Sequence, residues 1–166
     1  AGRRALELDP LSLPINNSLG VRFYLARQYD RAIEQYRKTL EMDPNIAWVR
    51  RNLGRVYMEK RMFEEAIGEF QKAMALSGGR PNGELGRAYA VSGRRSEAKK
   101  LIGELKALSK QRYVSPYAIA QIYLSLGDKN QAFAWLDKAV EEHDPALTTL
   151  KVDPTLDHLR SDPRFA

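Results

Sequence analysis

His143 and His158 are the only histidines of this chain, and imidazole is the side chain best suited to proton transfer or metal ligation near neutral pH. Neither stands at His-x-x-x-His or Cys-x-x-Cys spacing, so a metal centre finds no ligand pair. Asp153, Asp157 and Asp162 lie near one another, but in a stretch of Asp-Pro turns. Aspartate there is expected to cap the following helix and not to carry chemistry. The glycine pair Gly78-Gly79 lacks the Gly-Lys-Ser/Thr sequel of a phosphate loop. No Ser, His and Asp set suggests a triad, and the absence of cysteine removes thiol chemistry and disulfides. The expectation is a protein with no catalytic residues, no metal and no cofactor.

What remains is charge chemistry. Lys and Arg number 27 against 21 Asp and Glu, a net charge of +6 and a pI near 9.6. Such a balance fits nucleic acid, an anionic membrane or an acidic peptide. The densest basic stretch holds Arg94, Arg95, Lys99, Lys100, Lys106, Lys110 and Arg112, interrupted by Glu97 and Glu104. On a helix this spacing spreads charge over more than one face, which favours a solubilising surface. Nucleic-acid binding would want one stripe with interleaved aromatics, and that pattern is missing, so no nucleic-acid partner is expected. No apolar run approaches the length of a membrane-spanning helix, and no membrane partner is expected either. With 43% hydrophobic and 29% charged residues, the chain has enough apolar content for a continuous helical core.

The elements that must position these side chains announce themselves by repetition. Leu19-Gly20-x-x-Phe23 with Ala32-x-x-x-Tyr36 returns as Leu53-Gly54-x-x-Tyr57 with Ala66-x-x-x-Phe70. It returns again as Leu85-Gly86-x-x-Tyr89 with Ala98-x-x-x-Ile102, and as Ile119-Ala120-x-x-Tyr123 with Ala132-x-x-x-Leu136. The steps between the alanines are 34, 32 and 34 residues. The short step falls around Ser77-Gly78-Gly79-Arg80-Pro81-Asn82, where a local change in helix packing is expected.

Each position has a physical reason. Gly20, Gly54, Gly86 and Ala120 are small so that paired helices approach closely, and Ala32, Ala66, Ala98 and Ala132 do the same on the second helix. The large residues fill the adjacent holes. Pro10 and Pro44 end the preceding helices. Gly93-Arg94 and Gly127-Asp128 mark tight turns within the later pairs, and Tyr29-Asp30 and Met62-Phe63 are assigned to the corresponding turns of the earlier ones.

This grammar at this period resembles the tetratricopeptide (TPR) repeat, over roughly residues 1–145. The resemblance implies an all-α fold, a right-handed α-α superhelix. It would hold a half repeat at 1–10, full repeats at 13–44, 47–78, 79–112 and 113–145, and a capping tail at 146–166, all as one domain. Ala5-Leu6-Glu7-Leu8-Asp9-Pro10 matches Thr39-Leu40-Glu41-Met42-Asp43-Pro44 one period later, which suggests a fragment of a longer protein. The tail, with Leu147, Leu150, Leu156 and Leu159 expected to cover the last open face, looks like the closing segment of TPR arrays in bacterial multidomain signalling proteins. In those proteins the array follows winged-helix, Ser/Thr kinase or cyclase-like domains. A cytoplasmic setting is the expectation that goes with it.

In TPR arrays the first helix of each pair lines a concave groove, and the resemblance implies which residues face it. They are Asn17 and Tyr24 in the first repeat, Trp48, Arg51, Asn52 and Arg55 in the second, Arg87 in the third, and Tyr117 and Gln121 in the fourth. Arg51, Arg55 and Arg87 would form a basic centre flanked by aromatic surfaces. Arginine pairs bidentately with carboxylates, so the partner implied is a protein or peptide of acidic character. Two plainer readings stand beside this one: the arginines are solvated helix-surface charges, or Trp48 is core. The carboxylate clamp known in some TPR proteins does not transfer. Asn52 and Arg80 match it, but Asn17 stands in place of Lys, Val21 in place of Asn and Glu84 in place of Arg. The alternative function is self-assembly, with the exposed ends of the array stacking into homo-oligomers.

Overall fold

The computed structural model describes residues 12–149, 156, 159 and 161–165. Among these the regular structure is helical: α1 (Leu13–Leu25), α2 (Tyr29–Met42), α3 (Ala47–Glu59), α4 (Phe63–Leu76), α5 (Gly83–Val91), α6 (Arg95–Ser109), α7 (Pro116–Ser125) and α8 (Lys129–Glu141), with short 3₁₀ turns at Pro145–Thr149 and Pro163–Phe165. None of these helices is long and apolar enough to cross a membrane. The proposed half repeat at 1–10 lies outside the described residues, as do Leu150, Asp153, Asp157 and His158.

Helices form here because apolar residues recur at helical spacing. In α3, Val49, Leu53, Gly54, Val56 and Tyr57 are buried; in α2, Ala32, Ile33, Gln35, Tyr36 and Thr39 are. Successive helices then pair through the small positions of the repeat. The chain divides into two compact units, the first ending at Arg80 and the second beginning at Pro81, each with its own packing.

In the first unit α1 packs on α2, α2 on α3 and α3 on α4. The α1–α2 pair closes where Gly20 meets the Tyr36 ring, and the α3–α4 pair where Gly54 meets Phe70. A Cβ built on Gly20 would lie 2.5 Å from Tyr36 Cε1, and one on Gly54 2.6 Å from Phe70 Cε1. Any larger residue would therefore push a buried aromatic aside, since Tyr36 and Phe70 are each 1% exposed.

In the second unit α5 pairs with α6 and α7, and α7 with α8. The close approach falls at Gly86, whose Cβ would meet Ile122 Cδ1 at 2.4 Å and Leu101 Cδ2 at 3.1 Å, and at Gly83 against Ala118. Beyond α8, Leu156 and Leu159 join Tyr117, Ala120, Leu124, Ala132, Phe133, Leu136 and Ala139 in one buried cluster, with Leu147 and Phe165 partly buried on it. The tail thus covers the apolar face that the last helix pair would otherwise present to water.

The turns within the pairs share one construction. The amides of Gln28, Met62, Arg94 and Asp128 donate to the carbonyls of Phe23, Tyr57, Tyr89 and Tyr123 at 2.8–3.0 Å. These are the six-to-one bonds of a Schellman C-cap, and the accepting residue is each time the aromatic of the repeat. The residue with positive φ is Arg27 (57°), Arg61 (59°), Gly93 (84°) and Gly127 (82°). This corrects the expected placing of the first two turns at Tyr29-Asp30 and Met62-Phe63: Tyr29 and Phe63 already start helices, and an arginine takes the left-handed position before them. Gly78 and Gly79 also have positive φ, so α4 ends in two consecutive left-handed residues at the point where the period shortens.

Candidate functional site

The face of interest in the first unit is built on α3. Its apolar stripe is committed to the core, which leaves Trp48, Arg51, Asn52 and Arg55 along the opposite side at i, i+3, i+4 and i+7 spacing. Trp48 is 42% exposed, Arg51 and Arg55 are exposed and Asn52 is half-buried. The Trp48 ring is therefore surface and not core. Asn52 Nδ2 donates to Asn17 Oδ1 at 3.0 Å, tying this stripe to α1. Below it, Gln35 Nε2 donates to Asn16 Oδ1 at 2.7 Å, and Asn16 Nδ2 donates to the Ser12 carbonyl. Asn16 and Gln35 are buried, and buried amides of this kind need such partners.

Tyr24 and Tyr36 complete the surroundings. The rings of Tyr24 and Tyr29 lie 6.2 Å apart. Burial pushes the Tyr36 hydroxyl up to about 12, the positive charge of Arg55 pulls the other way, and Tyr24 adds to the rise. Tyr36 therefore stays protonated throughout the physiological range.

In the second unit the corresponding face lies on α5 and α7. Arg87 and Gln121 are half-buried. Arg87 Nε is buried and hydrogen-bonds to no described residue. Tyr117 departs from expectation. It is 5% exposed and packs in the buried cluster with Leu156 and Leu159, so it offers no aromatic surface to a ligand. The reason is the tail: residues beyond the last pair cover the side of α7 that the repeat pattern alone leaves open. Leu124 is buried for the same reason.

The basic stretch of α6 is partly structural. Arg95 Nη2 donates to the Leu126 carbonyl at 3.0 Å. Lys106 donates to the Tyr123 hydroxyl at 2.9 Å and lies 5.1 Å from the Trp135 ring centre, while Lys138 approaches the same ring at 4.9 Å. These cations sit over aromatic faces, an attraction of about 0.5–1 kcal/mol at exposed sites. Charge count alone gave no sign of it.

His143 is exposed, with a φ of 52° and its Nδ1 3.1 Å from the Glu141 carbonyl. Among the described residues no group of three or more His, Cys, Asp or Glu is placed to hold a metal. Asp162 is held down to about 2, chiefly by its hydrogen bond from Arg164, and its Oδ1 accepts the Arg164 amide.

Asp144 is the residue that sequence reasoning passed over. It is 4% exposed and accepts from Ser115 Oγ at 2.6 Å, from the Tyr117 amide at 3.0 Å and from the Ala146 amide at 2.9 Å. Burial would raise its carboxyl, but the bonds from Ser115, the two amides and Tyr113 outweigh it and hold the group below its ordinary value. The signal was present. Asp43-Pro44-Asn45 makes the same aspartate-to-amide bond two residues on, so Asp-Pro-x recurs as a turn module.

Comparison with known proteins agrees with the repeat fold. Models of the tetratricopeptide repeat match residues 23–82 and 117–142. No curated protein matches the chain. Among solved structures, one of MamA is similar at a TM-score of 0.59 and 21% identity, covering 89% of this chain and 88% of that one. A structure of YrrB, a TPR protein with an unusual peptide-binding site, is similar at a TM-score of 0.57 and 22% identity, covering 99% and 87%. Identities at this level speak for the fold alone. With paired helices at the repeat period, aromatic-capped turns and these matches, the chain carries tetratricopeptide repeats.

Proposed function

We propose that this chain is a non-catalytic scaffold that binds a protein or peptide of acidic character along the first helices of its repeats. The observation that carries the reading is Trp48, 42% exposed on one stripe with Arg51, Asn52 and Arg55. Tryptophan and arginine are among the residues most enriched at binding hot spots, and here the indole shares one stripe of α3 with two exposed arginines. The net charge of +6 favours acidic ligands in the encounter step. The peptide-binding site named for YrrB supports looking for a peptide here. The likeness of the tail to closing segments of bacterial regulatory arrays supports a cytoplasmic setting within a larger regulatory protein.

Titration of the chain against a peptide library, repeated with Arg51→Glu, tests the reading. Library peptides that bind wild type should be enriched in Asp and Glu, and charge reversal should weaken them by about tenfold or more, the scale of a lost charge-assisted bond. Equal binding by Arg51→Glu would overturn it. Mass that rises with concentration in light scattering, with no peptide bound, would favour self-assembly instead.

A further inference from the structure

Phe133, Leu136 and Val140 fall at i, i+3 and i+7 along α8 and so share one face. Phe133 and Leu136 belong to the buried cluster that the tail completes, and Leu147 and Phe165 pack against that cluster from the tail side. The cover is incomplete. Val140 is left 60% exposed, and these five apolar side chains, with Asp137 and Arg164, line a cavity of about 180 Å³. Its size decides what can fill it. Small-molecule sites run to about 300–1,000 Å³, whereas an apolar cavity of about 150 Å³ takes a benzene-sized group. The space therefore fits one apolar side chain whose parent segment lies outside. An apolar anchor seated in a pocket is a recurrent form of binding hot spot.

The rim decides what flanks that anchor. Arg164 is already engaged: its guanidinium donates to both Asp162 carboxylate oxygens and to Asn130 Oδ1, and it lies 4.1 Å from the Phe133 ring centre. Asp137 is exposed, and among the described residues no hydrogen bond or ion pair engages its carboxylate. Glu141, also exposed, stands four residues on and brings a second carboxylate beside Val140. The rim is thus acidic in a chain whose net charge is +6. An anionic surface is repelled by such a rim, and a basic flank is drawn to it.

We infer that this pocket docks a protein segment carrying one apolar side chain flanked by lysine or arginine. The site belongs to α8 and the tail, not to the first helices of the pairs. It selects a charge opposite in sign to that of the ligand proposed for the α3 stripe, and it does not depend on that reading. The apolar side chain supplies the burial, and Asp137 with Glu141 select the sign of the charge beside it.

The probe is a peptide with both ends blocked and one leucine among lysines, titrated into the whole chain and followed by NMR. Beside it run a version with serine for the leucine and one with glutamate for the lysines. The expected result is saturable movement of the Val140 and Leu147 methyl resonances with the first peptide and little with the other two. Val140→Ser should weaken binding about tenfold, the scale of burying one valine. Asp137→Asn should weaken it about two- to fivefold at low salt, the scale of an exposed ion pair. Both positions are exposed, so both variants should keep the backbone spectrum of the wild type. Unmoved methyl resonances would overturn the inference, as would equal binding by Val140→Ser or by the glutamate peptide. Methyl shifts that follow protein concentration with no peptide present would assign the pocket to a second copy of the chain and overturn it too. Arg51→Glu lies in the first unit and should leave this titration unchanged, so either proposal can fail alone.

Discussion

At the turns within the helix pairs the left-handed residue is an arginine in the first unit, Arg27 and Arg61, and a glycine in the second, Gly93 and Gly127. A side chain in that conformation costs about 1–2 kcal/mol per residue, a cost that glycine escapes. Helix starts differ in the same direction. None of the four helices of the first unit has a side-chain N-cap. In the second, Asn82, Ser115 and Asp128 each accept an amide of the helix they begin, and such a cap is worth about 1 kcal/mol.

The first unit compensates with side chains that bridge helices. Asn16 with Gln35, Asn17 with Asn52 and Arg37 with Tyr57 each join residues 19–35 apart in sequence. Arg50 pairs with Glu69 at 2.9 Å, both largely withdrawn from water, and Lys60 pairs with Asp30. The first unit thus relies on such links without side-chain N-caps, whereas the second adds N-caps and glycine turns to tertiary links of its own, among them Arg95 to the Leu126 carbonyl and Ser115 to Asp144. The second unit is the one expected to keep its helices longest as stability falls.

The largest effect should come from Leu159→Ala, which removes a fully buried side chain of the tail. We expect a loss of about 3 kcal/mol, confined in hydrogen exchange to α7 and α8. Equal loss of protection in α1–α4 would mean that the two units do not unfold separately. Next comes Asp144→Ala, which strips acceptors from Ser115 and the Tyr117 and Ala146 amides and should cost about 2 kcal/mol at neutral pH. Because the folded carboxyl lies below its ordinary value, its contribution is complete above the unfolded value of about 4 and fades as pH falls through the folded one. Denaturant melts of wild type and variant should therefore converge in acid, and a constant gap would refute the assignment.

Smaller effects separate the helix contacts. Gly54→Ala drives a methyl into the locked Phe70 ring and should lose about 1–2 kcal/mol after the gain in helix propensity. Gly86→Ala meets the far end of the aliphatic Ile122 side chain and not a ring, and should lose less than about 1 kcal/mol. The reverse order in thermal melts would show that Ile122 is the more rigid partner. The smallest change tests the turns directly: Arg61→Gly should stabilise by about 0.5 kcal/mol, strain relief offset by unfolded-state entropy, whereas Gly127→Arg should destabilise by about 1 kcal/mol. Destabilisation by Arg61→Gly would mean that its side chain makes a contact worth more than the strain.

Much of the fold was legible because the repeat repeats its reasons. Ala32, Ala66, Ala98 and Ala132 are at most 1% exposed, as a small residue at a helix seam must be. Trp48, Arg51, Asn52 and Arg55 fall on one side of α3 because helical spacing alone puts them there. Tyr117 was not legible: repeat position pointed it to the open face, and a segment forty residues later covers it. Arg27 and Arg61 were missed because arginine gives no turn signal, and only the chain geometry required of it reveals the left-handed residue.

By itself the sequence determined the helix pairs, their period and the small-against-large contacts that join them, since each of these depends on residues within one repeat. Tertiary structure alone decided which candidate side chains remain available. Burial of Tyr117 and Leu124, the acceptors around Asp144 and the unsatisfied Nε of Arg87 depend on neighbours from other helices. No local pattern encodes such neighbours, because burial and hydrogen bonding are properties of the packed whole.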